Sequence, residues 1–375
     1  MEELETNTII CGDSIEQMKL IPSESVDLIF ADPPYWMRVD GVLHRVNGNE
    51  YDGCDDEWDN QFHSLEDYQK FTKDWLTECK RILKKNGSFW VIGGMQCIYT
   101  IGSIMQELGF WFINDVIWAK KNPTPNFMGT RLNNSHETLI WAIKDQKYSY
   151  TFNYKTAKEL NTDTVYEKDF SKGIRKQLGS VWRIGVCQGV ERLKDDKGDK
   201  LHSTQKPEEL LYRIIAISSK LNDIVFDPFG GTMTTAAVAK RMGRRYICVE
   251  RDKKYCEYGN KRLENIKPNI GDIEKAVFDI RPPRVTFAEM IEDHYFSVGE
   301  KLYYNGKPYF FLTDKGKLIR DDCKEIDIHS AIAQVKNAKS KRLNGWDYWE
   351  VKRGDELVLI DTIRQKYLKE VKNYE

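Results

Sequence analysis

The chain has 375 residues, of which 41% are hydrophobic and 31% charged, and its formal net charge is −1. That length predicts about two domains of ordinary globular composition, and no apolar stretch reaches the ~18–20 residues of a membrane helix. Near-neutral charge provides no global basic signature, so a nucleic-acid partner would need a local patch. The acidic start Met1-Glu2-Glu3-Leu4-Glu5 lacks a signal-peptide pattern. The eight cysteines include no C-x-x-C pair, which argues against a zinc site and fits a reducing cytoplasm. No metal is expected.

Thr8 to Asp13 reads as a short strand, and Ser14 to Leu20 as a helix capped by Asp13 or Ser14. Val26 to Ala31 is an apolar strand. Residues 36–60 lack periodicity and predict a long loop, of the kind that is functional or disordered. Leu65 to Leu83 has helical spacing, with Tyr68, Phe71, Trp75, Leu76, Cys79 and Ile82 on one face and Asn86-Gly87 as its stop. Ser88 to Gly93 reads as a buried strand and Ile98 to Leu108 as a helix. Trp111 to Trp118 and Thr138 to Ile143 read as strands. Residues 144–200 are polar and weakly patterned, which predicts an insertion. Strands at 223–227 and 245–250 alternate with helices at 207–220, 232–242 and 255–266. This alternation predicts a mainly parallel sheet. Ile280-Arg281-Pro282-Pro283-Arg284 reads as a linker, and the short alternating stretches of 286–375 as a separate small α+β domain. Basic runs stand at Lys120-Lys121 with Arg131, and at Lys336, Lys339, Lys341 and Arg342; a solvated face is the simpler reading of each.

Asp32-Pro33-Pro34-Tyr35 follows the second strand. Each proline fixes φ and removes a backbone donor, and Pro33 pushes Asp32 out of the helical region. A carboxylate and carbonyl acceptors beside an aromatic plane suit an exocyclic amino group. An ordinary strand-ending turn is the other reading. Asp227-Pro-Phe-Gly-Gly-Thr-Met-Thr-Thr235 joins a strand to a helix. Small residues there let a ligand approach the backbone at a helix N-terminus, and Glu250, about 20 positions on, is placed for ribose hydroxyls.

Together these two motifs resemble the S-adenosylmethionine-dependent amino-methyltransferases of DNA. The motif order, with D-P-P-Y ahead of the glycine loop, resembles the circularly permuted β group. His202-Ser-Thr-Gln-Lys-Pro207, Asn122-Pro-Thr-Pro-Asn-Phe127, Ser135-His-Glu-Thr138 and Asn344-Gly-Trp-Asp-Tyr348 are similar to segments of the adenine methyltransferases that modify GANTC. Those occur in restriction–modification systems and in bacterial cell-cycle regulation. The resemblance runs from about residue 7 to about 350. It implies a Rossmann-like class I methyltransferase sheet, circularly permuted, over 1–280. Within it, 120–200 would be a target-recognition insert, and 286–375 a C-terminal accessory domain for DNA binding. One departure stands out: where the family loop continues G-x-G-T-T, Met233 replaces the second glycine. The expectation is that it lines the cofactor pocket or weakens it.

The resemblance implies S-adenosylmethionine as cofactor and double-stranded DNA as partner, with a homodimer and a cognate restriction endonuclease as further partners. Asp32, Pro33, Pro34 and Tyr35 would be catalytic. Asp32 and the Pro33 carbonyl would accept the hydrogens of a flipped adenine's amino group, and Tyr35 would stack on the base. Asp13, Asp227, Phe229, Gly231 and Glu250 would contact the cofactor, with Thr204 and Lys206 near its carboxylate. Asp13 as a mere cap and Lys206 as mere surface are the plainer readings. Trp36 and Trp58 are candidate walls of the base pocket. Base reading would come from Lys121, Asn122, Asn126, Arg131 and Asn133, with help from Lys336, Lys339 and Trp346. Cytosine-N4 transfer, RNA or protein-amide methylation, and a decayed DNA-binding module are the competing functions. By resemblance, aspartate at position 32 favours adenine.

Overall fold

The computed structural model describes residues 4–37, 43–44, 50–51, 59, 61–126, 129–161, 177–275, 285–320, 324–338, 340–341 and 343–372. The chain divides into units 1–279 and 280–375. In the first unit the elements run β1 (Thr8–Cys11), α1 (Ser14–Leu20), β2 (Val26–Ala31), β3 (Leu43–His44), β4 (Glu50–Tyr51), α2 (Leu65–Ile82) and β5 (Leu83–Gly93). They continue α3 (Ile98–Glu107), β6 (Trp111–Lys120), β7 (His136–Ile143), α4 (Tyr154–Glu159), β8 (Val181–Ile184), α5 (Glu208–Ser218) and β9 (Ile224–Asp227). The unit closes with α6 (Thr234–Arg241), β10 (Arg245–Glu250), α7 (Lys253–Glu264) and α8 (Ile270–Lys275).

An eight-stranded sheet has the order β1-β10-β9-β2-β5-β7-β6-β8. All its pairings are parallel except those of β7, which runs antiparallel to both β5 and β6. The central strands are apolar on both faces, as burial between two helical layers requires. On one side Met18, Trp75, Leu76 and Ile101 of α1–α3 pack on Ile29, Phe89, Val91 and Phe226. On the other, Leu211, Ile214, Ala236 and Leu263 of α5–α7 pack on Leu28, Trp90, Val225 and Cys248. Trp90 stacks on Trp141 with ring centroids 5.0 Å apart. β2 and β9 are adjacent in the sheet but far apart in sequence, so the turn after Ala31 and the loop after Asp227 open side by side. Ligands of open α/β sheets bind in such a crevice, beyond the carboxyl ends of the strands.

Three sequence expectations change. β5 begins at Leu83, directly after α2, so Asn86-Gly87 does not stop the helix. These residues lie in a register irregularity against β2, where a Cβ on Gly87 would fall 2.9 Å from the Asp27 carbonyl oxygen. The sheet is mainly parallel, as expected, with β7 the one strand that reverses. Residues 120–200 are not one insert: β7 is an interior strand, and β8 extends the sheet with Trp182 and Ile184 fully buried. The polar neighbours of β8 hid its strand pattern, whereas β7 is the strand expected over 138–143. Finally, Met233 neither lines nor constricts the cleft between the motifs. It adopts a left-handed backbone (φ 60°), and its side chain is wholly buried in the core. A Cβ on Gly259 of α7 would lie 2.4 Å from Met233 Cγ, so this methionine fills a space that a glycine vacates.

Met233→Gly therefore relieves the strained backbone yet empties core volume. The cavity term exceeds the left-handed penalty, and chemical denaturation should show a net loss of about 2–4 kcal/mol. An unchanged or raised midpoint would contradict this packing.

The second unit holds α9 (Phe287–Glu292), β11 (Lys301–Tyr304), β12 (Lys307–Leu312), β13 (Leu318–Ile319), α10 (Ile328–Val335), β14 (Glu350–Arg353), β15 (Glu356–Leu359) and α11 (Ile360–Glu370). Its antiparallel sheet has the order β13-β12-β11-β14-β15. Its own core includes Phe287, Met290, Leu302, Trp346, Trp349 and Tyr367. Trp346, a candidate DNA contact by sequence, is 7% exposed and stacks on Phe287 at 4.8 Å. It is a core residue of this unit.

Candidate active site

A cleft of about 1210 Å³ is lined by Asp32 to Tyr35, Asp227 to Gly231, Glu250, Asp13, Thr204 and Lys206. Asp13, Asp32, Asp227 and Glu250 all follow or end parallel strands, so the sheet delivers four carboxylates to one edge. β7 runs the other way, and its second residue, Glu137, reaches the same edge.

The D-P-P-Y turn is built tightly. Asp59, wholly buried, accepts the backbone N–H groups of Tyr35 and Trp36 at 2.7 Å on Oδ1 and of Met37 at 2.6 Å on Oδ2. Three donors on one carboxylate hold Trp36 at φ 53°, a conformation non-glycine residues rarely adopt. Trp36 stacks on Tyr68 at 5.6 Å, and the Tyr68 hydroxyl donates to the Pro34 carbonyl at 3.0 Å. Among the described residues no backbone N–H or side chain donates to the Pro33 carbonyl. Trp58 and Phe127 lie outside the described residues.

Asp32 sits in a charge cluster. Lys206 Nζ donates to its Oδ2 at 2.8 Å, and the Tyr35 hydroxyl lies 3.1 Å from its Oδ1. The same hydroxyl is 2.8 Å from Glu137 Oε2, and Lys120 pairs with Glu137 Oε1 at 2.7 Å. Burial pushes the Asp32 carboxyl up, while the Lys206 ammonium opposes it. Burial also acts to raise Glu137, but Lys206 and Lys120 together hold it below the usual carboxylate range. Burial and both carboxylates push the Tyr35 phenol well up, so it stays a donor. Lys206, expected beside the cofactor's carboxylate, is thus engaged at the D-P-P-Y turn, 8% exposed and also set over the Tyr35 ring at 5.2 Å.

The glycine loop forms the other half. Gly231 has φ 50° and donates its N–H to Glu250 Oε2 at 2.7 Å; Asp252 N–H donates to Oε1 at 2.8 Å. Burial raises the Glu250 carboxyl against these backbone donors. Phe229 is set edge-on against Trp75 at 5.4 Å. Asp13 caps α1, with Oδ1 accepting from Ile15 and Glu16, and also lines the cleft. Its capping role therefore does not take it out of the cleft. Thr204 N–H donates to His202 Nδ1 at 3.1 Å.

Asp227 accepts the Thr235 hydroxyl and the Phe229 N–H, yet full burial raises it to about 7 from an ordinary 3.8. The folded state therefore binds a proton that the unfolded chain has lost between those values. Stability contributed by protonated Asp227 is present below pH ~4 and disappears as pH rises through about 7. Asp227→Asn removes this dependence. Denaturation at pH 5 and pH 8 should show the variant gaining on the wild type by an order of 1–3 kcal/mol at the higher pH.

Of the proposed DNA contacts, Asn126, Arg131 and Asn133 line the cleft. Asn126 Nδ2 donates to the Arg131 carbonyl at 2.9 Å, and Arg131 donates to Asn134 Oδ1 at 3.0 Å, which shapes this loop. Lys121 is exposed and is not among the residues lining the cleft. Asn122 is spent on structure: its Oδ1 accepts Val186 N–H at 3.0 Å and its Nδ2 donates to Gln188 at 2.8 Å. Lys336 is in the second unit, over the Tyr348 ring at 4.1 Å. Lys339 lies outside the described residues. Sequence reasoning missed Asp59, Glu137 and the paired role of Lys120. The H-E-T segment containing Glu137 is the only local signal that pointed there.

Residues 26–261 match the DNA methylase family. The chain is 48% identical to the type II methyltransferase M.HinfI of Haemophilus influenzae over 361 residues, 96% of each chain. It is 36% identical to the type II methyltransferase M2.DpnII of Streptococcus pneumoniae over 258 residues, 68% of this chain and 89% of that one. Among solved structures, the cytosine-N4-specific PvuII DNA methyltransferase shares the fold at TM-score 0.50 and 20% identity, over 72% of this chain and 90% of that one. The buried carboxylate-and-glycine loop and the aromatic Phe229 fit a nucleoside-bearing sulfonium cofactor, and the chain belongs to the DNA methylase family, the S-adenosylmethionine-dependent methyltransferases of DNA.

Proposed function

We propose that the chain methylates the 6-amino group of adenine in double-stranded DNA, at GANTC. The observation that carries this reading is the joining of the D-P-P-Y turn and the Asp227–Gly231 loop in one cleft. Bound S-adenosylmethionine supplies a methyl group on a sulfonium, already an excellent leaving group, so positioning dominates the rate. The residues' part is to hold the amino nitrogen in line. Asp32 accepts one amino hydrogen and the Pro33 carbonyl the other, which draws the nitrogen lone pair out of conjugation. The amino group of a paired adenine is buried in the stack, so the base must leave the duplex to reach this turn.

On the cofactor side Glu250 takes the ribose hydroxyls through its remaining lone pairs. Phe229 presents an aromatic face, and the second oxygen of Asp13 accepts from the adenine amino group. Asn126, Arg131 and Asn133, which line the cleft, read the target together with the exposed Lys121. The second unit assists DNA binding, with Lys336 as one of its exposed cations. The fold does not choose between bases, since a cytosine-N4 enzyme shares it. Aspartate at position 32 supports adenine. The GANTC-like segments, with similarity to M.HinfI along 96% of both chains, support that site. A homodimer, a cognate endonuclease and a cytoplasmic location complete the reading.

Duplexes containing GANTC, and the same duplexes with one base of the site changed, are incubated with cofactor and digested to nucleosides for mass spectrometry. N6-methyladenine from GANTC alone is expected. N4-methylcytosine as the only product overturns the base assignment, and equal methylation of the altered duplexes overturns the site. Absence of any product from folded, cofactor-binding protein would favour a decayed module.

A further inference from the structure

Two carboxylates face one phenol and two ammonium groups in this cleft. Tyr35 carries a single hydroxyl proton and stands 2.8 Å from Glu137 Oε2 but 3.1 Å from Asp32 Oδ1. One proton serves one acceptor. Lys206 Nζ is 2.8 Å from Asp32 Oδ2 and 3.9 Å from Glu137 Oε2, so a short shift exchanges its partner. Glu137 is fixed for that exchange: it is only 13% exposed and is held by Lys120 at 2.7 Å through its other oxygen.

We propose that Glu137 is a positioning residue for methyl transfer: it retains the Tyr35 proton and receives Lys206, leaving Asp32 with open acceptor oxygens for the substrate amino group. This rests on the reading of D-P-P-Y as the amino-group site.

In the arrangement observed, both Asp32 oxygens have neighbours. A carboxylate committed to both an ammonium and a phenol proton could not also accept strongly from an incoming amino group. The shorter contact assigns the phenol proton to Glu137. The Tyr35 oxygen then turns a lone pair toward Asp32 Oδ1, an oxygen left wanting a donor. An amino hydrogen meets that want. When the amino group arrives, Lys206 swings to Glu137, where its charge stays balanced in a buried place that would not tolerate it unpaired. Two cations, Lys120 and Lys206, then oppose two anions throughout. Among the described residues Cys97, Tyr68 and the carboxyl of Asp227 also act on or face this cluster, and burial pushes all three up, Asp227 to about 7.

Glu137→Gln keeps the size and removes the charge. In single-turnover methylation of a GANTC duplex the rate should fall by roughly tenfold or more. Affinities for S-adenosylmethionine and for the duplex should stay within about twofold, since Glu137 belongs to neither loop holding them. The negative charge of Glu137 also pushes Asp32 up. The acidic limb of the pH–rate profile should therefore move to lower pH in the variant, a shift that a merely structural role does not produce. Glu137→Asp keeps the charge but withdraws the oxygen from Tyr35. It should lose rate with the limb in place, and it carries the test if Glu137→Gln does not fold.

A wild-type rate in the folded Gln variant, or in the Asp variant, overturns the proposal. So does lost activity with an unmoved acidic limb in Glu137→Gln. If Asp32→Ala abolishes transfer while Glu137→Gln is silent, the positioning role alone fails. If Asp32→Ala retains transfer, the amino-group site itself fails.

Discussion

Asp32→Ala lowers the single-turnover methylation rate by roughly 10²–10⁴-fold while S-adenosylmethionine binds with nearly unchanged affinity. The separation follows from the layout of the cleft. Asp32 leads the turn after β2 and contacts Lys206 and Tyr35, whereas the Gly231–Glu250–Asp252 hydrogen bonds belong to the loops after β9 and β10. Removing the carboxylate deletes the amino-group acceptor without touching that second set. Lys206 is not stranded, because Glu137 stands 3.9 Å away to receive it. Asp32→Asn separates shape from charge: it preserves the turn but offers only a neutral acceptor, and its rate should fall between the two. Isothermal titration of the cofactor and quenched-flow methylation check both halves. A variant that loses cofactor affinity in proportion to rate would show that Asp32 only supports the fold.

Glu250→Ala produces the opposite pattern. Cofactor affinity falls by roughly 10–100-fold, the worth of one or two charge-assisted hydrogen bonds, while the rate at saturating cofactor stays near that of the wild type. Two causes add. The ribose hydroxyls lose their carboxylate, and the Gly231 and Asp252 N–H groups lose the acceptor that shapes the loop. Glu250→Gln keeps an acceptor oxygen and should recover part of the affinity. A split between KM for the cofactor and kcat reads this directly. A fall in kcat with KM unchanged would move Glu250 from binding to chemistry.

That these two residues meet in one cleft was legible in the sequence because each motif is local. A carboxylate, two prolines and an aromatic make a complete acceptor turn in four consecutive residues, and a glycine loop with an acidic residue about 20 positions on is nearly as compact. Strand–helix alternation likewise indicated a layered α/β unit, since it arises from short-range periodicity. Trp346 shows where such reasoning misleads. An aromatic beside a basic run looks like a nucleic-acid contact, but its ring is stacked in the core of the second unit. Met233 misled in the same way. Its place in the glycine loop suggested the pocket, and only the space left by Gly259 shows that the side chain turns inward.

What the sequence determined by itself is the family: the D-P-P-Y and glycine-loop motifs and the order in which they occur. What only the tertiary structure decided is the cluster that governs Asp32. Tyr35, Lys120, Glu137 and Lys206 span more than 170 residues of chain, and the side chains meet because β7 reverses direction and returns its first residues to the edge where β2 and β6 end. Hydrophobic periodicity reports which face of a strand is buried, not which way the strand runs. The direction of β7 depends on its antiparallel pairing with both β5 and β6, a non-local choice that no window of sequence contains.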